Sequence, residues 1–328
     1  MSAAVPRPQR VRVEAAARLH FGVLDLRGHR GRRFGGIGAA VPSPSVALEA
    51  ERADQWSAQG PDSARALEFA RRFTGYHRIT GGGRIRIQRT IPPHVGLGSG
   101  TQLGLAVARA LAELYDLDPE PSALALAVGR GQRSAIGTWT FALGGFILEG
   151  GRQPGSSAVA PLLARMAIPA AWRCIVAIPH GAPGLSGEAE AEAFDRLPEP
   201  GEREVERVAH LVLMQMLPAL ADEDLPTFGA ALSELQRITG SWFSAAQGGE
   251  FAHGKTRDLV ERLKEWGATG VGQSSWGPTV YGLAAGPAEA GELAVRTRCW
   301  LGGGGVVYES GFADRGAQVF KDPEPWPD

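Results

Sequence analysis

The sequence predicts an α/β (α+β) protein whose strands and helices mix along the chain and fall into two halves. Three observations carry that expectation. Residues 84–91 set Ile85, Ile87 and Ile91 against polar neighbours with the period of a half-buried strand. A glycine-rich run follows and opens onto residues 102–111, where Leu103, Val107, Ala110 and Leu111 recur at helical spacing, continued by Leu114. After a glycine and proline tract at 150–155, an apolar strand pattern starts afresh at 172–178.

Taken in order, Val11 and Val13 begin an extended stretch that runs toward His20 and Phe21, and residues 45–50 read as a second strand. Residues 62–76 carry a helical pattern. The strand at 84–91 comes next, and Pro92 ends it because proline has no N–H to give a sheet ladder. Helix is expected from the glycine run onward, with a short apolar helix at 121–129. In the second half the strand at 172–178 is followed by helical periodicity at 202–217, 225–239 and 256–266. Late strands are expected at 280–283 and 305–308. The chain of 328 residues is long enough for two lobes, assigned as 1–160, which holds the glycine run, and 161–328.

Charge and cysteine content exclude several classes. With 34 basic and 35 acidic side chains the net charge is −1, which gives no overall attraction to nucleic acid or membrane. Met1 to Arg12 contains proline and arginine but no apolar stretch, so neither secretion nor membrane spanning is expected, and a cytoplasmic location is. Cys174 and Cys299 form no metal-type pair, and their apolar surroundings read as core.

The run from Pro92 to Thr101 has the chemistry of a phosphate-binding loop. Gly96, Gly98 and Gly100 let the backbone turn its N–H groups inward on a small polyanion, and Ser99 and Thr101 add hydroxyl donors. The helix that follows offers further unpaired N–H groups. The spacing is neither that of a Walker loop, which needs a lysine after the last glycine, nor that of a dinucleotide fingerprint. A glycine turn that merely starts a helix is the structural alternative.

Other chemistry-bearing residues lie on either side. Arg27, His29, Arg30, Arg32 and Arg33 form a basic run suited to phosphate or carboxylate contacts, with Arg27, Arg30 and Arg33 as candidate phosphate ligands; a solvated loop is the alternative. Arg18 and His20 share one side of a regular strand and are candidates for an anionic ring substituent. His180 stands just beyond a strand end, where loops often carry function. Ser274 and Ser275 suit an oxyanion, and Trp276 either stacks on an aromatic ring or closes a core.

The segment Gly96-Leu97-Gly98-Ser99-Gly100-Thr101-Gln102 resembles the second motif of the GHMP small-molecule kinase superfamily. It is most similar to the branch of the beta-ribofuranosylaminobenzene 5'-phosphate synthases, as are the stretches at 17–26, 184–188 and 272–281. The resemblance implies a two-lobed GHMP kinase-like fold with the site between the lobes. It implies an enzyme of methanopterin biosynthesis that joins 5-phosphoribosyl 1-diphosphate to 4-aminobenzoate and releases carbon dioxide and diphosphate. Such a reaction needs no organic cofactor, and Mg2+ would neutralise the leaving oxygens. Asp25 and Glu188 are its candidate ligands, with a turn residue and a wet helix face as the respective alternatives. Arg18, His20 and Asp25 are the candidate catalytic residues, with Ser274, Ser275 and Trp276 for the aromatic acid. A homodimer fits such an enzyme, although no stripe in the sequence marks an interface.

The alternative is an ATP-dependent kinase of the same superfamily. Residues 131–139, where many of those kinases carry an aspartate, hold no carboxylate here. Arg133 and Ser134 in that stretch suit anion binding better than proton removal. A non-catalytic phosphometabolite-binding protein is a third reading.

Overall fold

A computed structural model describes residues 9–181, 184, 187–324 and 326. Among them two sheets form. The first has β1 (Arg10–Asp25), β2 (Phe34–Ala53), β3 (Ser57–Gln59), β4 (Gly82–Arg89), β5 (Phe146–Glu149), β6 (Leu162–Met166) and β11 (Gln318–Lys321), in the order β11-β1-β2-β4-β3, with β5 on β2 and β6 on β5. All pairings are antiparallel except β3 with β4. The second sheet runs β10-β7-β9-β8, from β7 (Arg173–Pro179), β8 (Thr269–Gln273), β9 (Val280–Ala284) and β10 (Gly305–Ser310).

Helices cover both sheets. The first half contributes α1 (Ser63–His77), α2 (Ser99–Leu114), α3 (Pro121–Ala127) and α4 (Ile136–Leu143). The second contributes α5 (Gly187–Arg196), α6 (Glu202–Leu211), α7 (Leu217–Ala221), α8 (Leu225–Trp242), α9 (Ser244–Gln247), α10 (Lys255–Glu265) and α11 (Pro287–Leu301). A π-helical turn, Val212–Met216, joins α6 to α7.

The alternation in β1 is that of a strand with one face in the core: Val11, Val13, Ala15, Ala17 and Leu19 are buried, while the residues between them are partly open. From His20 onward both faces are covered, because the strand passes beneath α8 and the second half. One apolar core runs without a break from Val11 through α2 and α8 to Tyr281 and Leu283. Phe21 bridges the halves, with ring centroids 5.1 Å from Tyr281 and 6.4 Å from Phe146. A smaller core packs α10 and α11 on the second sheet.

Several boundaries differ from the sequence reading for local reasons. The strand expected at 45–50 is the end of a much longer one, since Phe34 to Ala53 pairs along almost all of β1. The helical pattern at 202–217 is interrupted by the π turn. Strands β6 and β11 lie after residue 160 yet belong to the first sheet. Cys174 is buried, whereas Cys299 is exposed: α11 turns Ala290, Leu293, Ala294, Thr297 and Leu301 inward, and position 299 falls on the other face. No helix among the described residues is long and apolar enough to cross a membrane.

Candidate active site

The glycine loop connects β4 to α2, and four of its carbonyls, His94 to Leu97, are each taken by a donor from elsewhere in the chain. His94 O accepts from Gly184 N at 2.8 Å and Val95 O from Thr279 Oγ1 at 2.6 Å. Gly96 O accepts from Ser274 Oγ at 2.7 Å and also from Arg18 Nη1, and Leu97 O from Arg18 N at 3.2 Å. With the carbonyls anchored behind, the amides of Gly98, Ser99 and Gly100 take no acceptor from the described residues. They are the unpaired donors of a helix N-terminus and face an open pocket.

Glycine is required at the centre of this arrangement. Gly96 and Gly98 have φ of 85° and 78°, and a Cβ on Gly96 would strike the Ser274 carbonyl. Gly277 comes against Val95 and Gly96 from the second half with equal closeness. Backbone of the C-terminal segment is thus packed directly on the loop.

Two arginines that the sequence reading missed converge on the same pocket. A Cβ on Gly100 would lie 2.6 Å from Arg65 Nη2 and 3.0 Å from Arg130 Nη2, so both guanidinium groups converge over the first turn of α2. Arg65 reaches Asp62 at 3.5 Å; Arg130 lies over the Phe69 ring at 5.1 Å and has no ion-pair partner among the described residues. Burial, and then the charges of Arg65 and Arg72, push the Arg130 pKa down. Neither residue belongs to a motif or a charge run, and the only trace in the sequence is that each is an arginine on or just after a helix beside the loop.

A second pocket adjoins the first. Phe194 on α5, Phe243 after α8 and Trp276 after β8 meet edge to face, with centroids 5.7, 5.4 and 4.9 Å apart, an aromatic arrangement with an open face. Phe34, His20, Ser134, Thr239 and Gln236 line other walls. Arg18, Glu190, Ser275 and Trp276 line both pockets and form their junction. At that junction Arg133 pairs with Glu190 at 2.5 Å.

The buried polar groups of β1 are strongly perturbed. Burial, reinforced by the Arg18 charge, lowers the His20 pKa to about 3, so its imidazole is neutral. Its Nε2 lies 3.3 Å from Ser134 Oγ. Burial lowers Arg18 to about 10, opposed by Glu190, which leaves it a cation at neutral pH.

The structure brings together Arg18, His20, Gly96, Gly98, Ser99, Gly100, Thr101, Ser275 and Trp276 around the two pockets. Ser274 stands behind them: its hydroxyl accepts from His20 N at 3.0 Å while donating to Gly96 O, so both functions are committed to holding the loop. The basic run lies elsewhere. Arg30 is 76% exposed and pairs with Glu202 at 2.5 Å, Arg33 donates to Leu26 O at 2.8 Å, and Arg27 meets His29 at 3.1 Å. None of Arg27, Arg30 and Arg33 lines either pocket; they clasp the turn between β1 and β2. Asp25 accepts from the amides of Arg27 and Gly28 at 2.7 and 3.1 Å, the geometry of a turn residue. His180 also lies off both pockets.

Residues fit for a metal ion are sparse. The Glu188 side chain lies outside the described residues, Asp25 is turned into its own loop, and Glu190 is paired with Arg133. No group of three carboxylate, histidine or cysteine side chains with metal-holding geometry occurs among the described residues. Mg2+ commonly takes only one or two protein carboxylates beside substrate phosphates, so it needs no such cluster here.

Residues 63–145 match the GHMP kinases N terminal domain and residues 216–299 the GHMP kinases C terminal domain. The chain is 32% identical to the beta-ribofuranosylphenol 5'-phosphate synthase of Methanothermobacter thermautotrophicus, over 94% of this chain and 98% of that protein. It belongs to the GHMP kinase superfamily and is closely related to the archaeal beta-ribofuranosylphenol 5'-phosphate synthases. The Archaeoglobus fulgidus synthase of the same name is 35% identical over 83% of this chain and 87% of its own length. The homoserine kinase of Cytophaga hutchinsonii superposes with a TM-score of 0.72 at 16% identity, covering 98% of this chain and 100% of that one. The mevalonate kinase of Methanococcus jannaschii gives 0.67 at 12%, covering 94% and 100%; at such identity both show the fold, a two-domain α/β GHMP kinase-like architecture. The relatives' names carry a phenol where the sequence expectation carried an aminobenzene. The two differ by one ring substituent, which no backbone motif records.

Proposed function

We propose that the protein joins 5-phosphoribosyl 1-diphosphate to 4-hydroxybenzoate, giving β-ribofuranosylphenol 5'-phosphate, carbon dioxide and diphosphate. The observation that carries this reading is the pair of adjoining pockets, one cationic and amide-lined, the other aromatic, with Arg18, Glu190, Ser275 and Trp276 as common walls. A reaction between an anionic sugar donor and a flat arene needs that adjacency.

In the proposed reaction the bond from the anomeric carbon to the diphosphate oxygen breaks, and its electron pair leaves with diphosphate. The ring carbon bearing the carboxylate attacks the sugar carbon, and the pair of the ring–carboxylate bond then returns to the ring as carbon dioxide departs. No oxidant or protein nucleophile enters the balance. The protein's part is alignment of the two substrates, stabilisation of the departing charge and exclusion of water from the cationic sugar. Trp276, Phe194 and Phe243 would hold the ring face. Arg18, already bonded to Gly96 O, would orient the carboxylate at the junction. Magnesium, as a counterion of the diphosphate, is part of the proposed assay.

The test is release of labelled carbon dioxide from carboxyl-labelled 4-hydroxybenzoate, with 5-phosphoribosyl 1-diphosphate as donor and ATP as a control donor. Release that needs the ribosyl donor, with equal diphosphate and a ribosylated phenol, is expected. ATP consumption with a hydroxyl acceptor, and no release, would move the protein to the kinase reading.

A further inference from the structure

The deepest unexplained feature of the molecule is the meeting of two like charges over Gly100. Arg65 comes from α1 and Arg130 from the turn after α3, and both approach one point above the first turn of α2. Two guanidinium groups so placed repel each other, and the Arg65 charge disfavours the Arg130 cation. The helix N-terminus beneath them adds further positive potential. Glu68 and Glu190 offset this at Arg130 only in part: its stacking partner is an uncharged ring, and Glu68 is taken by Arg72 at 2.5 Å. Glu190, the carboxylate on the pocket wall, is taken by Arg133. Cations held together against repulsion, around amides that lack acceptors, are arranged for a multiply charged anion.

Resting on the reading of the protein as a phosphoribosyl transferase, we infer that Arg65 and Arg130 clamp the diphosphate of the donor, and that the glycine loop receives the leaving group and not the 5-phosphate. Position and charge both favour this end. The pocket shares its walls with the aromatic pocket, so the anion in it stands next to the carbon that the ring attacks. Diphosphate is one oxygen away from that carbon; the 5-phosphate is at the far end of the sugar. A diphosphate also carries enough negative charge to answer Arg65, Arg130 and the nearby Arg18 together, which a monophosphate does not. Planar forks presented from two sides suit the two phosphoryl groups separately. Because the clamp gains strength as negative charge moves onto the departing oxygens, it serves bond cleavage as well as binding.

The experiment is calorimetric titration of the full chain with inorganic diphosphate and, separately, with ribose 5-phosphate. Arg130→Gln and Arg65→Gln are expected to weaken diphosphate binding by about 10- to 100-fold each, the loss of a charged hydrogen-bonding partner. Their affinity for ribose 5-phosphate is expected to be unchanged. Arg71→Gln removes the same charge from an exposed residue of α1 that lines neither pocket, and is expected to leave both affinities within about twofold, since an exposed charge contributes little. Binding of 4-hydroxybenzoate and the thermal midpoint report whether each variant is folded.

Equal diphosphate affinity in the wild type and the two clamp variants would overturn the inference. So would the reverse pattern, with ribose 5-phosphate weakened and diphosphate spared, or a loss in Arg71→Gln as large as in Arg130→Gln. A wild-type protein that shows the expected pattern yet releases no carbon dioxide would keep the clamp and discard the synthase reading. Turnover without any dependence of diphosphate binding on Arg65 or Arg130 would do the opposite.

Discussion

His20 shows how one side chain links stability to the chemistry of the pocket. The folded protein holds its imidazole neutral down to about pH 3, while an unfolded histidine takes a proton near 6.5. Between those values the unfolded state binds the extra proton, so stability is full above about 6.5 and falls as the pH drops toward 3. His20→Gln, which keeps a hydrogen-bonding side chain, is expected to flatten the dependence of the urea midpoint on pH between 6.5 and 4. An unchanged slope would assign the acid sensitivity to other groups. Trp276 makes a separate prediction on the aromatic wall. Trp276→Ala removes one of three edge-to-face partners and is expected to weaken aromatic-acid binding about tenfold, at about 0.5–1.5 kcal/mol per ring contact plus lost burial. Binding of diphosphate should be reduced far less; equal losses at both pockets would show that Trp276 closes a core.

At the scale of elements, the latch behind the glycine loop decides whether the pocket is preformed. Ser274 and Thr279, which flank the turn between β8 and β9, donate to consecutive loop carbonyls, and Gly277 packs its backbone between them. Ser274→Ala leaves Gly96 O with Arg18 alone and His20 N without an acceptor, a loss of about 1–3 kcal/mol for a buried donor left unmatched. The expected result is a lower urea midpoint together with weaker diphosphate binding, and wild-type values for both would remove the latch from the site's architecture. The loop itself was legible in the sequence because three glycines, a strand ending in proline and a periodic helix are local patterns. Arg65 and Arg130 were not, since they reach the loop from α1 and from beyond α3 through tertiary packing. The basic run misled for the same reason: its charges are conspicuous along the chain, yet in space Arg30 faces Glu202 and Arg33 a carbonyl. Residue type suggested an anion; the fold shows which arginines stand beside the glycine loop.

For the whole molecule, the division into two lobes is a matter of site geometry more than of folding units. The sequence indicated two halves from the fresh start of strand pattern near 172, and two sheets form. What local pattern did not carry is that β6 extends the first sheet through β5, and that β11 returns from the far end of the chain to pair with β1 from Val11 to Glu14. The main core likewise passes from Val11 to Leu283 without interruption, with Phe21 against Tyr281 at its middle. A chain cut at residue 160 would expose the free edges of β1 and β5 and the apolar residues beneath α8, including Phe21, which is 1% exposed in the intact protein. Residues 1–160 expressed alone are therefore expected to give poorly dispersed amide NMR spectra and no cooperative thermal transition, while the full chain unfolds in one step seen alike by circular dichroism and tryptophan fluorescence. A well-dispersed spectrum and sharp melting of the isolated half would show that the lobes are autonomous. In that case the anion pocket, whose loop carbonyls need Gly184, Ser274 and Thr279, would still lack its backing, and the half would fold without binding diphosphate.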